Sequence, residues 1–113
     1  MSRHEPRVKL LHMRDFARKA VEMMRGRTRD DLGSNEMLRL AVTHLVELVG
    51  EAASQIPAEV QSGYPQIPWS KVIGTRHRLI HGYDFVDYDI LWGTIHDNFP
   101  ELIEILNRIL DEK

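Results

Sequence analysis

The sequence predicts an all-α protein, an antiparallel helical bundle of four long helices plus a short connecting turn. Two observations carry this prediction. Apolar residues recur at three- and four-residue spacing through four long segments, as they do in amphipathic helices. No segment has the apolar–polar alternation of a strand. Because 113 residues is the size of one domain, residues 1–113 are assigned to a single helical domain.

The first helix is predicted over residues 6–24, since proline suits a first helical turn and Gly26 follows the last apolar residue. A polar connection comes next, and we interpret it as solvated and without function. The second helix is predicted to begin at the N-cap Ser34 and to stop at Pro57. Residues 58–63 are predicted to form one short turn. The charged residues of the polar connection are Arg25, Arg27, Arg29, Asp30 and Asp31.

The third long helix is predicted to open at Pro68 and to end at Gly82. Gly74 inside it lowers helix propensity, so we interpret it as a point of close approach to a neighbouring backbone. The last helical region keeps its apolar stripe in phase across Pro100. A kink is therefore predicted at this proline rather than a break.

Four helices of this length carry more apolar residues than the core between them can bury. Trp92 and Ile103 lie toward a second side of the last helix, and we interpret this surplus apolar surface as an interface. A homodimer is the simplest way to cover it. The methionines assigned to the core as filler are Met13, Met23, Met24 and Met37.

Composition excludes several classes of function. The formal net charge is −2, so any contact with nucleic acid must come from a local patch. The absence of cysteine excludes disulfides and thiolate metal sites and suits a reducing compartment. Apolar runs are too short to span a bilayer and the N-terminus has no signal-peptide pattern, so a cytoplasmic location is expected. No metal and no cofactor are predicted.

Residues 76–83, at the end of the third helix, are the most informative stretch. On a helical wheel of about 100° per residue, Arg76 lies amid apolar side chains and His81 lies at the edge of their stripe. A guanidinium cannot lose its proton, and burying it unpaired is costly. Either a carboxylate inside the fold pairs with Arg76, or this face lines a cleft that binds an anion.

The chemistry available at this stretch suits metal-independent cleavage of RNA. Arg76 can bind a phosphate and stabilise charge that develops on it. His81 can deprotonate the ribose 2′-hydroxyl or protonate the leaving 5′-oxygen near neutral pH. Tyr83 adds a hydroxyl. Because one histidine serves only one of the two proton transfers, two copies that meet across a dimer axis would supply both.

Structural interpretations of the same residues stand beside the catalytic one. Arg76 could pair with Glu51 or Glu47 and join two helices. His81 could be a histidine at the edge of the core, and Tyr83 could cap the core with its hydroxyl at the surface. His77 and His81 have a spacing that can hold a metal, but neighbouring arginines would repel a cation. Lys71, His77 and Arg78 are candidates for a positive rim or auxiliary RNA contact.

The pattern Arg76-x4-His81-x-Tyr83 resembles the signature of HEPN-domain proteins of the HepT-like family, toxins of the HepT/MntA type. The resemblance covers most of the chain. It includes Gly50-Glu51-Ala52 late in the second helix and Pro68-Trp69 before the signature helix. Asp87 and Leu91-Trp92 follow at the usual distance. His77 and Gly82 stand where the family commonly has a small polar residue and an acidic residue.

The resemblance implies a homodimeric, all-helical ribonuclease toxin in which the signatures of both subunits meet at one cleft. It also implies an antitoxin partner, a minimal nucleotidyltransferase that transfers AMP from ATP to Tyr83 and so blocks the site. RNA would be the substrate, and no membrane would be involved. A non-catalytic dimeric scaffold that binds the nucleotidyltransferase is the alternative hypothesis.

Overall fold

The computed structural model describes residues 5–80 and 85–111, and within them it confirms the all-α prediction. An isolated antiparallel bridge between Ile80 and Val86 is the one β-type pairing in this part of the chain. None of the helices it contains is long and apolar enough to cross a membrane. The elements are α1 (Glu5–Met24), α2 (Arg29–Ser34), α3 (Glu36–Ser54), α4 (Ala58–Gln61), α5 (Trp69–Leu79), α6 (Tyr88–Gly93), a π-helical segment (Thr94–Asn98) and α7 (Phe99–Asp111).

Helix α3 lies at the centre of the bundle, where it packs against α1 on one side and α5 on the other. Helix α7 packs against α1 and completes the core. Met13 and Met24 are buried as predicted, whereas the assignment of Met23 and Met37 to the core is wrong because both are exposed. The largest fully buried side chains are Met13, Leu32, Val42, Val49, Ile67, Leu79, Leu91, Ile95 and Leu106.

The connection between the first two long helices is not the solvated loop that was predicted. Its second half forms α2, which buries Leu32 completely. The carboxylate of Asp31 accepts a hydrogen bond from the Thr28 amide at 2.7 Å and so satisfies a free donor at the start of α2. The predicted N-cap Ser34 is also wrong, because the Asn35 side chain accepts from the Leu38 amide at 3.0 Å.

A close approach between α3 and α5 occurs at Gly50 rather than at Gly74. A Cβ atom on Gly50 would lie 3.2 Å from the Val72 carbonyl oxygen, which belongs to the opposite helix. At Gly74 the neighbour within that distance is the guanidinium of Arg78 on the same helix. The interpretation of Gly74 as the point of close approach is therefore wrong. The absence of a side chain at Gly50 is what lets the backbones of α3 and α5 come together.

The last helical region is continuous across Pro100, as the in-phase stripe predicts. The π-helical segment directly precedes the proline, and the Phe99 amide donates to the Thr94 carbonyl five residues earlier. Proline has no amide hydrogen and its ring clashes with the carbonyl four residues before it. A widened turn at this point relieves the clash while the helix continues. The buried stripe comprises Leu91, Ile95, Phe99, Leu102, Leu106 and Ile109.

Candidate active site

Arg76 lies on the exposed side of α5, with its side chain 69% exposed. The wheel placed it amid buried apolar residues, but the buried positions of α5 are Thr75 and Leu79. Val72 and Ile73 are only partly buried. The expectation of an arginine inside the core is therefore corrected: in the single chain the guanidinium reaches solvent at the border of the α3–α5 contact.

Glu47 on α3 supplies the carboxylate partner of Arg76. The Nε atom of Arg76 donates to Oε2 of Glu47 at 3.1 Å, and Glu47 is 27% exposed. Glu51, the other carboxylate considered, accepts from the Gln55 side-chain amide at 2.9 Å instead. An ion pair with one largely exposed member stabilises a fold by less than about 1 kcal/mol, so Glu47 orients the arginine without locking it.

The two terminal amino groups of Arg76 form no hydrogen bond within the described residues, since its one bond runs through Nε. These groups carry four of the five N–H donors of the guanidinium, and they can bind two oxygens of a phosphate at once. Their position near the C-terminus of α5 adds the helix carbonyls, whose partial negative charge favours cations there. Arg76 is thus oriented, exposed and able to take an anion.

His81, Gly82 and Tyr83 lie outside the described residues, so the structure does not place two of the three signature side chains. It does describe the residues that flank them. Helix α5 ends at Leu79 rather than at Gly82, because Ile80 has extended backbone angles (φ −105°, ψ 120°). Ile80 is bridged to Val86 at this end of α5. Helical-wheel positions therefore do not apply beyond Leu79.

His77, Arg78 and Lys71 lie on the same helix as Arg76, and all three are exposed. The guanidinium of Arg78 turns back along its own helix, where Nη2 donates to the Lys71 carbonyl and to Thr75 Oγ1, both at 3.0 Å. His77 follows Arg76 directly on the same turn. This end of α5 consequently presents two cationic side chains and an imidazole to solvent.

Thr43 is a polar residue of α3 that the sequence analysis did not single out. It is buried, and its Oγ1 has no hydrogen-bond partner within the part of the chain that the structure describes. It lies one turn before Glu47 on α3. Gly50 lies beside Val72 and Glu47 pairs with Arg76, so α3 and α5 run antiparallel and Thr43 lies toward the C-terminal end of α5. The signal that could have found it is this i, i+4 spacing from Glu47.

The outward face of α3 carries the two most exposed large apolar side chains of the described residues. Met37 is 83% exposed and Leu40 is 61% exposed. His44 and Glu47 continue the same face at three- and four-residue spacing. Trp92 and Ile103, where surplus apolar surface was predicted, are partly buried against the core. The described residues hold no group of three side chains that could bind a metal.

A comparison with known protein families decides the identity of this fold. The family described as "HepT-like: Ribonuclease HepT-like" matches residues 13–109, nearly the whole chain. This chain belongs to the HepT-like ribonuclease family. Membership confirms the family predicted from the Arg76-x4-His81-x-Tyr83 signature and, with it, the ribonuclease class of enzyme.

The names of similar proteins agree with membership of a ribonuclease family. "Putative RNase TTE0752" of Caldanaerobacter subterraneus subsp. tengcongensis is 32% identical over 108 residues, which is 96% of each chain. "Probable ribonuclease HepT" of Thermococcus cleftensis is 33% identical over 95 residues, covering 80% of this chain and 86% of the relative. "Putative RNase MJ1380" of Methanocaldococcus jannaschii is 28% identical over 102 residues, 90% of this chain and 94% of the relative. No solved structure matches the chain.

Proposed function

We propose that this HepT-like chain is a cytoplasmic, metal-independent endoribonuclease toxin that acts as a homodimer. The observation that carries the proposal is the state of Arg76. Its guanidinium is exposed, is held through Nε alone and keeps its terminal amino groups free of bonds to the described residues. In a member of a ribonuclease family, a cation oriented in this way is suited to bind the scissile phosphate.

In the proposed reaction Arg76 binds the two non-bridging phosphate oxygens and stabilises the charge of the phosphorane. The ribose 2′-oxygen attacks phosphorus and the bond to the 5′-oxygen breaks, leaving a 2′,3′-cyclic phosphate and a 5′-hydroxyl. His81 removes the 2′-hydroxyl proton or protonates the 5′-oxygen. His77, Arg78 and Tyr83 contact the RNA around the reacting phosphate. No step requires a metal.

A second copy of the chain completes the site in this proposal. One His81 can serve only one of the two proton transfers, and the partner's copy serves the other. Met37 and Leu40 give the face that two copies would bury, since an apolar pair so exposed beside polar residues is typical of an interface. Glu47 and Arg76 adjoin that face, so pairing through α3 brings two copies of the signature together.

We further propose that the activity is silenced by a nucleotidyltransferase antitoxin that transfers AMP from ATP to Tyr83. The transfer forms a phosphodiester between the tyrosine oxygen and AMP and releases pyrophosphate. The bulk and negative charge of AMP would then occupy the place of the RNA phosphate and pair with Arg76.

Cleavage of RNA by the purified protein in the presence and absence of EDTA tests the proposal. We expect cleavage to persist in EDTA, to leave 2′,3′-cyclic phosphate ends and to be lost in His81→Ala and Arg76→Ala. Arg108→Ala removes an exposed arginine of α7 and should cleave like wild type. Loss of cleavage in EDTA, or full cleavage by His81→Ala, would contradict the proposed mechanism.

The second candidate function is a non-catalytic scaffold that binds the nucleotidyltransferase. His77 and Gly82 favour it, because they depart from the family pattern at the positions directly after the arginine and the histidine of the signature. RNA that stays intact under all conditions, together with a stable complex between the chain and a nucleotidyltransferase, would support the scaffold over the enzyme.

A further inference from the structure

A second site, remote from α3 and α5 in its lining, lies where the end of α1 meets the π-helical segment. Ligand-binding pockets have volumes of roughly 300–1,000 Å³. The cavity volume of this groove is about 320 Å³, which lies within that range. Residues of the Gly26 turn form one wall and residues of the last helical region form the other. Its lining is Val21, Met24, Arg25, Gly26, Arg27, Trp92, Ile95, His96 and Pro100.

Two stacked rings form one wall of this groove, which we call the Trp92–His96 groove. The ring centroids of Trp92 and His96 are 4.7 Å apart and their planes differ by 18°. Side chains four residues apart on a helix lie on the same face, so Trp92 and His96 are neighbours. Trp92 is partly buried, whereas His96 is 61% exposed. Another planar ring can therefore continue the stack on the imidazole.

The opposite wall is cationic. Gly26 has a positive φ of 75°, a conformation that suits glycine, and the turn it makes sets Arg25 and Arg27 on either side of it. Arg25 pairs with Glu22 at 2.6 Å, and both side chains are exposed. Such a pair is weak and can be exchanged for another anion. Arg27 is exposed and has no carboxylate partner within the described residues.

The chain segment that includes the Gly26 turn is more basic than the chain as a whole. Residues 14–29 hold six basic and two acidic side chains, although the formal net charge of the chain is −2. Arg29 at the end of this segment is neutralised by Asp89, whose hydrogen bond and charge raise the pKa of the guanidinium above its ordinary value. The basic residues are Arg14, Arg18, Lys19, Arg25, Arg27 and Arg29, and the acidic ones are Asp15 and Glu22.

We propose that the Trp92–His96 groove binds a single-stranded segment of RNA outside the cleavage site, with a base stacked on His96 and adjacent phosphates on Arg25 and Arg27. Proteins that bind single-stranded nucleic acid commonly combine ring side chains, on which bases stack, with guanidinium groups that contact the phosphates. An acidic peptide would pair with the two arginines but would not need the stacked rings of Trp92 and His96. A duplex keeps its bases stacked on each other, so it offers no free face to the imidazole.

This inference rests on the proposed RNA substrate and extends it by a second contact. Long RNA would be held at the groove and cut elsewhere. A dinucleotide is too short to reach both places, so its cleavage would not depend on the groove. The two proposals therefore have separate readouts.

Fluorescence anisotropy of a labelled single-stranded oligonucleotide with 2′-O-methyl riboses measures binding without cleavage. We expect His96→Ala and Arg27→Ala each to weaken binding about tenfold, as loss of a stacked base or a phosphate contact does. His96→Phe keeps a flat ring and should bind like wild type. Arg27→Ala should also lower the slope of log K against log salt by about 0.7. The matched control Arg108→Ala removes an equal charge outside the groove and should leave both quantities unchanged.

Unchanged binding in His96→Ala and Arg27→Ala, or equal losses in Arg108→Ala and Arg27→Ala, would overturn the groove while leaving the proposed ribonuclease intact. A wild-type protein that binds the oligonucleotide through the groove but cleaves no RNA would contradict the proposed ribonuclease and keep the groove. Cleavage of a dinucleotide by wild type and His96→Ala at the same rate, with slower cleavage of long RNA by the variant, is the result we expect if both proposals hold.

Discussion

Arg76 combines a fixed direction with open coordination, and this combination separates a functional arginine from a structural one. Its bond to Glu47 uses Nε and leaves the rest of the guanidinium fork available within the described residues. A purely structural arginine would use the fork on its carboxylate, as bidentate pairs do. The chemical identity of the side chain, and not only its charge, should therefore matter.

Replacing Arg76 with lysine tests that point. Arg76→Lys keeps the cation but loses the planar fork, so kcat/KM for RNA should fall about 100-fold. The free energy of unfolding should change by less than about 1 kcal/mol, because the pair with Glu47 is largely exposed. Cleavage assays and urea denaturation measure the two effects, with Arg108→Lys as control. Full activity together with clear destabilisation would indicate a structural role instead.

Thr43 and Thr75 are both buried threonines, but they differ in the hydrogen bonding of their hydroxyl groups. Thr75 Oγ1 donates to the Lys71 carbonyl at 2.7 Å and accepts from Arg78, whereas Thr43 Oγ1 has no partner among the described residues. Thr75→Val should destabilise the fold by about 1 kcal/mol, and Thr43→Val should be neutral or stabilising. Urea denaturation of both variants distinguishes them. A loss of about 1 kcal/mol in Thr43→Val would mean that its hydroxyl does have a partner in the folded protein.

Among the elements, the contact between α3 and α5 determines how Glu47 meets Arg76. Gly50 lies one turn from Glu47 and touches the backbone of α5 at Val72. Gly50→Ala should displace the two backbones by a few tenths of an ångström. Such overpacking costs about 1–3 kcal/mol, of which the better helix propensity of alanine offsets up to about 1 kcal/mol, so we expect a net loss of stability. Cleavage should fall with it, because the displacement changes the geometry of the Glu47–Arg76 pair.

Gly74→Ala is the control for this substitution. Its new Cβ would meet only the mobile end of Arg78, and alanine favours a helix over glycine by up to about 1 kcal/mol. We therefore expect a neutral or stabilising effect in thermal or urea denaturation. Equal losses in Gly50→Ala and Gly74→Ala would contradict the assignment of the close approach to Gly50.

The sequence predicted the long helices well and the short elements poorly, for a physical reason. Nineteen residues of α3 repeat their apolar spacing several times, whereas the six residues of α2 offer Leu32 alone. The local signal that was present is the pair Thr28 and Asp31, spaced as in a capping box. Ser34 and Asn35 are both good N-caps, and only the geometry of the chain selects Asn35.

The candidate site was predictable in its residue types but not in its burial. Arg76 was identified from its position on the wheel, yet the wheel assumes that apolar neighbours are covered, and Val72 and Ile73 are covered only in part. The sequence narrowed the carboxylate partner of Arg76 to two residues one turn apart, Glu47 and Glu51. The register set by Gly50 selects Glu47, and no periodicity within one helix carries that information.

For the whole molecule, the uncovered face of α3 predicts a dimer. Met37→Glu and Leu40→Glu place charges at the centre of that face, so the double variant should be monomeric. It should also cleave RNA at least tenfold more slowly, since each site would lose the partner's histidine. Sedimentation equilibrium measures the mass. Val8→Glu alters an exposed apolar residue of α1 and should remain dimeric. A monomeric wild type, or a double variant that stays dimeric, would contradict this interface.

The π-helical segment has a consequence for the length of the chain itself. A wide turn is equivalent to one extra residue absorbed by a regular helix, so it keeps α7 nearly in phase with α6. Deleting one residue, such as Asp97, would therefore leave Leu102 and Leu106 facing the core. The regular turn would, however, bring back the clash between the ring of Pro100 and the carbonyl four residues before it, so we expect the shortened helix to be less stable.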